Sequence, residues 1–137
     1  DDLDKRREMV KDMVEDIEKR NPEVVNIYKE KLENRINELI DEKIDIDQSR
    51  IASEAAIFAD KSDITEEIVR LKSQLKQILN AMGAPPPAGR KLDFIMQEMH
   101  REINTIGSKS ADSLISEKVV EIKSEIEKMR EQIQNVE

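Results

Sequence analysis

The chain has 137 residues, enough for one domain or one and a half. Aromatics are 2% of it, with no Trp, one Tyr (Tyr28) and two Phe (Phe58 and Phe94), which excludes a thick aromatic core. The formal net charge of -8 argues against a polyanion partner for the molecule as a whole, and the lack of Cys excludes disulfides, thiol nucleophiles and Cys-ligated metals. Charged residues are 39%, Gly occurs only at 83, 89 and 107, and Pro only at 22 and 85–87. Long helices with aliphatic stripes are the natural outcome, so the expected fold is all-α, built of long antiparallel helices with heptad packing like that of coiled coils.

In chain order, the pattern predicts six helices. The first covers about residues 2–20, with Leu3, Val10, Val14 and Ile17 on one side. Asn21-Pro22 reads as an N-cap followed by a first-position proline, so a second helix is expected to start there. It carries Val25, Tyr28, Leu32, Ile36 and Leu39, and a break is expected over Glu42–Asp47. The third helix holds Ile51, Ala55 and Phe58. Ser62 or Asp63 then caps a fourth, whose Ile64, Ile68, Leu71, Leu75, Ile78 and Met82 are spaced 4, 3, 4, 3, 4.

Gly83 closes that helix, and the three prolines of the 83–89 segment make it a non-helical connector. The fifth helix runs from about Arg90 to Ile106 on Leu92, Met96, Met99, Ile103 and Ile106, with Gly107 as its expected left-handed cap. The last, about Ala111 to Asn135, repeats the heptad from Ile115 to Val136. Stripes this narrow bury little area inside one chain, which predicts association with further copies. No apolar run spans a membrane and no signal peptide is visible, so a cytoplasmic protein is expected.

The charge is uneven. Residues 1–47 contain 16 acids and 10 bases, a net of -6, and form the expected acidic hairpin segment. Residues 48–137 carry 15 acids and 13 bases, a net of -2, and form the expected second domain, where a phosphate contact is easier to place.

No phosphate loop, zinc-ligand spacing or nucleophile elbow is present. Asp63, Glu66, Glu67 and Arg70 form one polar cluster, which a capping box with first-turn acids also explains. Glu98 and Glu102 lie four apart on one face beside Arg101 and Asn104. Such a pair could hold a divalent ion with a phosphate next to it, or could be a solvated face or an ion-pair network. His100, the lone histidine, sits beside the apolar seam and could donate a proton near neutral pH, although packing is its commoner role. Arg90 and Lys91 open the fifth helix against its dipole, a cost that an anionic partner would offset.

The stretch Gly89-Arg-Lys-Leu-Asp-Phe-Ile-Met-Gln-Glu-Met-His-Arg-Glu-Ile-Asn-Thr-Ile-Gly-Ser-Lys109 closely resembles the signature of the YicC/YloC-like family. The ending Lys128-Met-Arg-Glu-Gln-Ile-Gln-Asn-Val-Glu137, the stretch Asp63-Ile-Thr-Glu-Glu-Ile-Val-Arg-Leu71 and the stretch Ser53-Glu-Ala-Ala-Ile-Phe-Ala-Asp60 also fit its pattern. The resemblance covers most of residues 48–137, while 1–47 match only in style. It implies the helical C-terminal half of a bacterial, metal-dependent endoribonuclease of about twice this length, which assembles into hexameric rings and clamps RNA.

By position, the resemblance makes Asp63, Glu66, Glu67, Glu98 and Glu102 candidates for binding Mn or Mg. Glu98, Glu102 and His100 become candidates for catalysis, and Arg70, Arg90, Arg101, Asn104 and Lys109 for RNA contact. In one place the chain departs from the pattern. Family members commonly carry a Ser-His pair after the Arg-Leu of the fourth helix, where this chain has Ser73-Gln74. A histidine-dependent step at that point is therefore put in doubt.

Overall fold

A computed structural model describes residues 2–39, 47–83 and 89–136. The described residues form five helices and no strand: α1 (Asp2–Leu39), α2 (Gln48–Lys61), α3 (Thr65–Met82), α4 (Gly89–Lys109) and α5 (Ser113–Val136). The expected break over residues 42–47 and the proline connector fall largely on 40–46 and 84–88, outside the described residues.

α1, α3, α4 and α5 form a ring of neighbours, each packed on the next. The cross-helix bonds show that every neighbouring pair is antiparallel. Arg6 meets Glu125 and Arg20 meets Asp112 across α1 and α5, and Lys72 meets Glu18 across α3 and α1. Arg70 meets Glu102, Lys109 meets Glu67 across α3 and α4, and Asp93 meets Arg130 across α4 and α5. The all-α, long and antiparallel architecture expected from composition is therefore the one found.

The three heptad seams line the inside of this bundle. Ile64, Leu71, Ile78, Met96, Met99, Ile103, Ile106, Ile122 and Ile126 are fully buried in one cluster. Val10, Val14 and Ile17 of α1 complete that cluster, so the core draws on both sides of the expected 47/48 division. The seams are spent on intrachain burial, which removes the argument that they need a second copy.

Two expectations about helix ends are corrected. The chain does not break at Asn21-Pro22; α1 runs on through Pro22 for 38 residues, about 57 Å at 1.5 Å per residue. Tertiary packing on both sides holds the helix there. Val14 and Ile17 are buried before the proline and Val24 after it, and Arg20 is clamped to Asp112. The half of α1 beyond the bundle is covered by α2, where Tyr28 stacks on Phe58 with ring centroids 4.0 Å apart.

Gly107 is likewise not a cap. α4 continues to Lys109, and a Cβ on Gly107 would meet Val119 Cγ1 at 3.3 Å. The glycine serves the close approach of α4 to α5 rather than a turn.

Candidate functional site

The N-terminal turn of α3 and the C-terminal half of α4 lie side by side because their seams share one core. Asp63 stands just ahead of α3. Its Oδ1 accepts from the Thr65 N–H at 3.0 Å and from the Thr65 hydroxyl at 2.6 Å. These bonds, the hydroxyl one first, hold the carboxyl below the usual carboxylate range, helped by the Lys109 charge. The expected capping box between Asp63 and Glu66 is not formed. Asp63 turns to Thr65, the helix cap at Ile64 has no side-chain bond, and Ser62 donates to the Phe58 carbonyl.

Across the α3–α4 boundary, acids and bases interlock. Glu67 is buried, and its Oε1 accepts from Lys109 Nζ at 2.6 Å. The same ammonium donates to the Asp63 carbonyl at 3.0 Å, so Lys109 ties the end of α4 to the start of α3. Arg70 Nε donates to Glu102 Oε1 at 2.9 Å. Glu66 Oε2 and Glu67 Oε1 lie 3.6 and 3.9 Å from the two terminal nitrogens of Arg70. The Glu102 bond is the leading cause that raises the Arg70 pKa above its ordinary value.

Two polar atoms in this region lack a hydrogen-bond partner among the described residues: Glu67 Oε2 and Gln74 Oε1, both buried. Gln74 stands at the position where the resemblance places a histidine, on the same side of α3 as Glu67 and Arg70. Neither the burial of Gln74 nor its stranded acceptor is legible from the heptad pattern, which marks only the apolar positions.

The structure therefore gathers Asp63, Glu66, Glu67, Arg70, Glu102 and Lys109. It places the rest farther along α4. Glu98 is paired with Arg101 at 3.2 Å rather than with Glu102. His100 Nδ1 lies 3.2 Å from Asn104 Nδ2 on the outer side. Arg90 is at the far end of α4, exposed, and makes no ion pair among the described residues. Asp93 and Gln97 bond each other, with Arg130 on Asp93.

Among the described residues, no three Asp, Glu or His side chains converge closely enough to hold a metal ion between them. The acids are arranged around Arg70 and Lys109. That donor set does not make an all-protein cage. A hard cation coordinated mainly by water needs only one or two carboxylates, and of these acids Asp63 and Glu66 are exposed while Glu67 and Glu102 are buried. Glu67 Oε2 is shut off from solvent, so it does not face a hydrated ion at this surface.

No helix among the described residues is long and apolar enough to cross a membrane. The chain matches the family described as "Endoribonuclease YicC-like, C-terminal" over residues 17–137, so the likeness reaches well into α1. It is 54% identical over its whole length to the "Probable endoribonuclease YicC" of Clostridioides difficile (strain 630), covering 47% of that protein. It is 40% identical to the protein of the same name from Haemophilus influenzae, over 85% of this chain and 39% of that protein. The chain thus spans about half the length of these relatives or less. With a match over nearly all of its helical bundle, the chain belongs to the YicC-like endoribonuclease family and corresponds to its C-terminal part.

Proposed function

We propose that this chain is the helical portion of an RNA-cleaving protein, and that the α3–α4 face seats the phosphate backbone. The carrying observation is the Arg70–Glu102 and Lys109–Glu67 cluster. It sets a guanidinium and an ammonium at one surface, each held by a carboxylate from the other helix. Arg offers planar bidentate donors to phosphate and Lys a point charge, the usual pairing for backbone contact. In this reading Arg101, Asn104 and Arg90, which makes no ion pair among the described residues, extend polar contacts along α4. The names carried by the relatives, probable endoribonucleases, support the same class of reaction.

A Mn or Mg ion in this reading would be held by the exposed carboxylates of Asp63 or Glu66, beside Lys109 and Arg70. Water and RNA phosphate would fill the remaining positions of such an ion. When bound, such an ion supplies charge stabilisation and an acidified water. The protein's own residues orient the backbone through Arg70 and Lys109. His100, beside Asn104 on the outer side of α4, would be the group that gives or takes a proton in this reading. The active form in this proposal is a cytoplasmic homo-oligomer completed by the rest of the full-length protein.

The test is cleavage of a structured RNA by the full-length protein with Mn, Mg or EDTA, repeated with Arg70→Ala and Lys109→Ala. Each substitution is expected to weaken RNA binding and reduce the salt dependence of binding by about one phosphate contact. Cleavage and binding unchanged in both variants would remove this face from the site. Absence of cleavage under all three conditions would favour a purely scaffolding helical module, a reading that the net charge of -8 supports.

A further inference from the structure

On that reading of the α3–α4 face, we infer that Glu102 is a positioning residue: it holds Arg70 by Nε so that the terminal nitrogens of Arg70 point to a phosphate. The bond geometry carries this. Nε is the only guanidinium nitrogen of Arg70 in a hydrogen bond among the described residues, at 2.9 Å from Glu102 Oε1. The two terminal nitrogens lie 3.6 and 3.9 Å from Glu66 and Glu67, too far for hydrogen bonds, and so keep their donors for a ligand. Glu102 is 10% exposed in its side chain and Arg70 48%. The carboxylate is thus sunk between the helices while the cation it holds reaches solvent. A guanidinium pinned at Nε loses little further rotational freedom when its fork closes on phosphate, which is the advantage of preorganisation. Lys109 borders the same spot, because both cations flank Glu67 Oε1.

A positioning role and a chemical role make opposite demands on one substitution. The amide oxygen of Glu102→Gln still accepts from Arg70 Nε, whereas Glu102→Ala accepts nothing. A carboxylate that binds metal or moves a proton loses its function in both.

The experiment measures the Kd of a short single-stranded RNA for the full-length protein in EDTA, and kcat and KM for cleavage with Mn. We expect Glu102→Ala to raise Kd about fivefold or more, the loss of one charge-assisted hydrogen bond. Glu102→Gln is expected to stay within about twofold of wild type in Kd and kcat, because the Nε bond survives. In an Arg70→Ala background, Glu102→Ala is expected to add nothing to Kd. If Glu102→Ala melts below the assay temperature, Glu102→Asp, one methylene too short to reach Nε, takes its place. Loss of kcat in Glu102→Gln at unchanged Kd would overturn the inference, as would additive effects of the Arg70 and Glu102 substitutions. A Kd that Arg70→Ala leaves unchanged would instead overturn the proposed phosphate seat, and this inference with it.

Discussion

Pro22 offers the sharpest test of the fold. It sits about twenty residues into a continuous helix, where its missing N–H leaves the carbonyl of Glu18 without its helical donor. Proline in a helix interior costs about 3 kcal/mol relative to alanine. Part of that cost is returned because proline also restricts the unfolded chain, by about 0.5–1 kcal/mol. Pro22 is exposed, so no packing is lost on its removal. Pro22→Ala is therefore expected to stabilise the protein by about 2 kcal/mol. With an unfolding entropy near 2.1 cal/mol/K per residue over 137 residues, that gain raises Tm by roughly 7 °C. Thermal unfolding followed by circular dichroism, at fixed protein concentration, reads it directly. An unchanged or lower Tm would refute continuity of α1 at this point and restore the helix break expected from the sequence.

Gly107→Leu is expected to cost about 1–3 kcal/mol, because Val119 Cγ1 lies 3.3 Å from where a Cβ would start. Gly107→Ala is expected to be near neutral, its helix-propensity gain of about 1 kcal/mol set against a stiff β-branched neighbour. Equal stability for the Leu variant in urea unfolding would show that α4 and α5 are not in close approach. Asp112 is held below the usual carboxylate range, first by its bond to Arg20 and then by the Ile115 amide, against its partial burial. A depressed folded pKa gives stability that is present above the unfolded value of about 3.9 and lost as pH falls through the folded one. Asp112→Asn should therefore cost more at pH 7 than at pH 3, and an equal cost at both would exclude this origin. Ile103→Ala, at a fully buried site, is expected to lose about 2–5 kcal/mol in the same assay.

Much of this molecule can be read from spacing. The positions of Ile64 to Ile78, Leu92 to Ile106 and Ile115 to Ile133 identify three core seams, because a 3.5-residue repeat leaves one face for burial. What spacing leaves open is where each face points in the assembled bundle. Pro22 and Gly107 carry strong local signals for a start and a stop, and tertiary packing overrides both. At the site, the residue types were legible and their partners were not. Glu98 and Glu102 are neighbours in sequence pattern, yet each turns to a different arginine, one on its own helix and one across the boundary. The stranded acceptors of Glu67 and Gln74 depend on what α4 presents opposite them, which no single-helix pattern encodes.

The ring of antiparallel helices also sets an order of assembly. α3, α4 and α5 follow one another in the chain, so their contacts close short loops. α1 returns from the opposite end of the sequence: Arg6 pairs with Glu125 over a separation of 119 residues, and Asp2 bonds Gln132 over 130. Closing such loops is entropically slow, so the α3–α5 hairpins are positioned to form the folding nucleus and α1 to dock late. Truncations in α1, such as Val14→Ala, should then act on the unfolding rate, whereas Ile122→Ala should slow folding. Stopped-flow chevrons of the two variants would reveal the reverse pattern if α1 were part of the nucleus. A late-docking α1 makes the lifetime of the folded state, rather than its speed of formation, the quantity that the first helix governs.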